Sequence, residues 1–74
     1  MLDTISHIKN ATASGMMAVW KDGQENGARL EVGRGLSGYS VFRYYGFRLM
    51  EHHHGLTLKE SASVVNRWIA ERAD

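Results

Sequence analysis

Apolar and polar residues between positions 16 and 32, MMAVWKDGQENGARLEV, form two apolar runs around a polar centre. Residues 16–21 and 28–32 are predicted as the strands of a hairpin, with Asp22-Gly23 and Asn26-Gly27 supplying the positive-φ positions of its loop. Symmetric closure sets Lys21 against Ala28, Trp20 against Arg29, Val19 against Leu30, Ala18 against Glu31 and Met17 against Val32. Side chains alternate across a sheet, so Met17, Val19, Leu30 and Val32 form a core face and Ala18, Trp20, Arg29 and Glu31 a solvent face.

The flanking segments carry other periods. In residues 2–9, Leu2, Ile5 and Ile8 recur at helical spacing while Thr and Ile favour a strand; a strand is expected, followed by a polar connection at 11–15. Residues 40–54 are β-prone in composition. On a helix, however, Val41, Phe42, Tyr45, Leu49 and Met50 share one side and Arg43, Arg48 and Glu51 lie toward the other, with Gly55 as a stop. A helix is expected there, the alternative being a hairpin turning at Tyr45-Gly46. Thr57-Leu58-Lys59-Glu60 is a capping box that opens a final helix, with Leu58, Ala62, Val65 and Ile69 as its apolar stripe and Trp68 beside it. These elements predict an α+β domain: an antiparallel β-sheet of three to four strands, covered on one face by two C-terminal α-helices.

Composition narrows the picture. A chain of 74 residues makes one domain, too small for a deep catalytic cleft. With no Cys, a disulfide framework and thiolate metal sites are excluded, and a reducing cytoplasmic setting is expected. Nine Lys and Arg against eight Asp and Glu leave a formal charge of +1, without the basic excess of a dedicated DNA-binding domain. Neither a signal peptide nor a membrane span is expected, and the sequon Asn10-Ala11-Thr12 has no meaning without secretion.

Candidate chemistry is sparse. Gly33-Arg34-Gly35-Leu36-Ser37-Gly38 spells GxGxxG, but too little chain follows for a doubly wound sheet, so a flexible loop is expected. On the expected helix, His52-His53-His54 diverge by about 100° per residue and cannot converge on one tetrahedral ion; Glu51 with His54 is the one suitably spaced pair, a weak site at best, and the histidines are expected to meet the negative end of the helix dipole. No nucleophile elbow or paired carboxylates occur, so neither enzyme activity nor a cofactor is expected. Arg34, Arg43 and Arg48, interleaved with Tyr39, Tyr44, Tyr45 and Phe47, could contact single-stranded nucleic acid, but the near-neutral charge favours aromatics that fill a small core and arginines that solvate it. Trp20, Arg29 and Glu31 on the solvent face have two readings: a protein-binding hot spot, or a cross-strand stack and ion pair that stabilises the sheet.

The hairpin also resembles a family of small phage-encoded type I-F anti-CRISPR proteins. Ala18-Val19, an aromatic at Trp20 where the family has Tyr, Gly23, Ala28-Arg29 and Glu31 carry the likeness, with a looser match at Gly55-Leu56, Glu60 and Ala62. The resemblance covers about half the chain and finds no counterpart between Gly33 and His54. It implies an antiparallel sheet backed by two helices and a non-catalytic monomer. Such a protein binds the backbone subunits of the crRNA-guided Csy surveillance complex and blocks hybridisation of target DNA. Carried onto this chain, the contact positions are Trp20 and Glu31, with Arg29 beside them, and a family aromatic falls on Ser6. Asp22 and Glu25 would add acidic charge facing a basic groove. A small nucleic-acid-binding or phage regulatory module is the alternative.

Overall fold

The computed structural model describes residues 3–21 and 28–72; the expected turn at 22–27, with Asp22 and Glu25, and Leu2 lie outside the described residues. The elements run α1 (Thr4–Ala13), β1 (Ala18–Lys21), β2 (Ala28–Gly35), β3 (Gly38–Tyr45), β4 (Arg48–Leu56) and α2 (Leu58–Arg72). The strands form one antiparallel sheet in the order β1-β2-β3-β4, each paired with its sequence neighbours. The fold is α+β as expected from the pattern. Its two helices sit at opposite ends of the chain, however, rather than together after the sheet.

The expected strand at 2–9 is instead helical. Asp3 caps α1, its carboxylate accepting the Ser6 amide at 2.7 Å, and that bond holds the Asp3 carboxyl below its ordinary value. At the other end Gly15 takes φ +77°, the left-handed cap, while the Met16 amide donates to Ala11 at 3.0 Å and the Gly15 amide to Thr12 at 3.1 Å. Helix formation places Ile8 fully inside, with Ala11 packed beside it.

The expected helix at 40–54 is two strands, the hairpin alternative. Its turn follows Tyr45, through Gly46 at φ +64°. Val41 is buried opposite Val32, but Tyr45, Leu49 and Met50, grouped on the apolar side of the expected helix, are exposed. The GxGxxG stretch is no flexible loop: Gly33 and Gly35 belong to β2 and Gly38 opens β3. Gly38 has φ +130°, and a Cβ there would lie 2.8 Å from the Leu56 carbonyl oxygen, so this crossing of β3 and β4 admits no side chain.

The capping box is present as read. The Thr57 amide donates to Glu60 at 2.9 Å and the Glu60 amide to the Thr57 hydroxyl at 3.1 Å, lowering the Glu60 carboxyl from its ordinary value. On α2, Ala62, Val65 and Trp68 are buried, with Leu58 and Ile69 flanking them. Buried Ser61 satisfies its hydroxyl on the Leu58 carbonyl at 2.7 Å. Both helices pack on one sheet face. They enclose Ile8, Ala18, Leu30, Val32, Val41, Ala62, Val65 and Trp68, and leave the opposite face uncovered.

Candidate functional site

Pairing of β1 with β2 differs by one residue from symmetric closure: Ala18 faces Val32, Val19 faces Glu31, Trp20 faces Leu30 and Lys21 faces Arg29. A one-residue slip exchanges the faces of a strand. Ala18 and Trp20 therefore turn toward the helices, while Met17 and Val19 turn to the uncovered side. Trp20 packs beside the core and stacks on His7 of α1, ring centroids 4.5 Å apart. Ser6 lies in the first turn of α1 and not on a strand. Of the four residues singled out from the sequence, Arg29 and Glu31 share the uncovered face. Trp20 and Ser6 do not join them.

The uncovered face is built by alternation. Arg29, Glu31 and Gly33 of β2 stand opposite Tyr44, Phe42 and Ser40 of β3, and Phe42 stands opposite His52 of β4. Arg29 Nε lies 2.7 Å from Glu31 Oε2 without its N–H aligned along the contact, so the two form an ion pair rather than a directed hydrogen bond. The Arg29 guanidinium covers the Tyr44 ring at 4.5 Å. Tyr44 and Phe42 follow at 6.4 Å between centroids, and Phe42 and His54 meet in a T-shaped pair at 5.6 Å. At one end Met17 lies over Gly33, where a Cβ would come within 3.2 Å of its Cε. A shallow depression lined by Met17, Gly33, Ser40 and Phe42 opens beside it.

The result is a continuous row of charged and aromatic side chains, ordered by contacts with one another. Arg29 already partners Glu31, so the pair presents a local dipole rather than a free negative charge. The sequence reading did not join Ser40, Phe42, Tyr44, His52 and His54 to Arg29 and Glu31, because it placed them on a helix. The signal that pointed to them is the β-prone run Ser40–Tyr45 with a turn at Tyr45-Gly46, because two-residue alternation does not sort the polar and apolar residues of this run by face.

The opposite face carries a second set of charges. Arg43 pairs with Glu71 at 3.0 Å and lies over Trp68, and Glu51 accepts from His53 at 2.7 Å with Arg67 3.8 Å away. The His53 bond is the main reason the Glu51 carboxyl is held below its ordinary value. Arg43, one of the three arginines of the nucleic-acid alternative, is thus engaged between sheet and helix. Arg34 and Arg48 are exposed. Among the described residues no helix is long and apolar enough to cross a membrane. Comparison with protein-family models, curated proteins and solved structures finds no match to this chain.

Proposed function

We propose that the chain is a non-catalytic inhibitor that binds a protein partner through its uncovered sheet face. The partner is a type I CRISPR-Cas surveillance complex of the Csy or Cascade kind, engaged at a backbone subunit near the crRNA so that target DNA cannot hybridise. The observation that carries the binding reading is the row of Glu31, Arg29, Tyr44 and Phe42, left uncovered by both helices. Aromatic residues and Arg dominate protein-binding hot spots, and their ordering before binding reduces the entropic cost of association. The identity of the partner rests on the resemblance of the β1–β2 stretch. Of the carried-over contact positions, Glu31 remains on this face, while Trp20 and Ser6 support the fold.

The test is capture of purified crRNA-loaded type I complexes by immobilised wild type, Glu31→Lys and Tyr44→Ala. Both variants should keep the wild-type circular dichroism spectrum and bind about tenfold or more weakly, the scale of a hot-spot loss. Failure of the wild type to capture any complex sinks the target. Full-strength capture by both folded variants sinks the face. A salt-dependent shift of single-stranded DNA by the isolated protein would instead support the nucleic-acid module.

A further inference from the structure

His52 and His54 stand two residues apart on β4, and both rings lie on the uncovered face, against Phe42 and Ser40 of β3. His53 points the other way, toward Trp68 and Glu51. The divergence expected of a helical His-His-His run is therefore replaced by convergence of the first and third rings. His52 Nδ1 lies 2.9 Å from His54 Nε2, and His54 Nδ1 lies 2.9 Å from the Ser40 hydroxyl.

A neutral imidazole has one N–H and one lone pair. In the tautomer whose His54 Nδ1–H is donated to Ser40, the His54 Nε2 lone pair faces His52 Nδ1. Between them lies either the Nδ1–H of neutral His52, as an ordinary hydrogen bond, or a cation in its place. With metal–nitrogen bonds of about 2.0–2.1 Å, a nitrogen separation of 2.9 Å subtends about 90° at the ion. That is the angle between neighbouring ligands of a square-planar or octahedral ion, narrower than a tetrahedral site requires.

We propose that His52 and His54 form a two-nitrogen chelate for Cu2+ or Ni2+ in preference to Zn2+. Water completes the coordination, since no group of three or more His, Asp or Glu converges among the described residues. Ser40 is a positioning residue that fixes the His54 tautomer and ring orientation. The site needs only side chains of β3 and β4 and does not depend on the proposed partner.

The test is calorimetric titration of Ni2+ into the full chain in a non-coordinating buffer near neutral pH, repeated with Zn2+. One Ni2+ should bind per chain, more tightly than Zn2+. His52→Ala and His54→Ala should each weaken it by about tenfold or more, Ser40→Ala by less, and His53→Ala not at all. With Cu2+, electron paramagnetic resonance should show two imidazole nitrogens in the wild type and one in either chelate variant. Equal weakening by His53→Ala, or unchanged binding in His52→Ala and His54→Ala, would overturn the chelate. Tighter binding of Zn2+ than Ni2+ would overturn its geometry.

Discussion

Trp20 and Glu31 stand on neighbouring strands but face opposite sides of the sheet, and their substitutions should separate folding from binding. Trp20 packs on His7 and the edge of the core, so Trp20→Ala should cost roughly 2 kcal/mol, below the range for a fully enclosed aromatic. A lowered urea midpoint would register that loss, while the folded fraction binds its partner as the wild type does. Weakened capture at an unchanged midpoint would return Trp20 to the interface. Leu30 and Val32 were legible as core because charged Arg29 and Glu31 alternate with them. Trp20 was not legible. Residues 16–20 are apolar at every position, so alternation there cannot choose between two registers. In the fold α1 packs over that face, where His7 stacks on Trp20 and Ile8 joins the core.

At the scale of elements, the signals for α1 were present and were outweighed. Asp3 and Gly15 are a helix cap and stop at the right separation, but β-branched Thr4, Ile5 and Ile8 favoured a strand. Packing against the sheet offsets such weak local preferences, and a sequence reading does not see it. Residues 40–54 failed in the opposite sense, because apolar residues on both faces of a hairpin can be projected onto one side of a helix. The capping box of α2 was legible because it is a local hydrogen-bonding pattern needing no tertiary partner. Gly15 and Gly38 give this distinction a measurable form. At Gly15 a Cβ would meet nothing within 4 Å, so Gly15→Ala should cost about 1 kcal/mol for the left-handed backbone alone. Gly38→Ala adds a contact of 2.8 Å with the Leu56 carbonyl and should lower the thermal transition further. Equal transitions for the two variants would show that β4 moves aside without cost.

Across the whole molecule, every strand pairs with its sequence neighbour, whereas the helices meet across almost the full chain, Thr4 of α1 donating its hydroxyl to the Asn66 side chain of α2. Local pairings close small loops and form early, while a contact between distant segments must await the ordering of what lies between. The meander is thus expected to set the folding rate, and the clasp of α1 on α2 the unfolding rate. In stopped-flow kinetics Ile8→Ala should accelerate unfolding with little change in folding, and Val41→Ala should slow folding. Slower folding in Ile8→Ala would place α1 in the nucleus. With the helices apart, the apolar underside of the sheet would open to water while its strands remained paired. On that expectation the lifetime of the fold would be set at that joint, on the side of the molecule away from the proposed binding face.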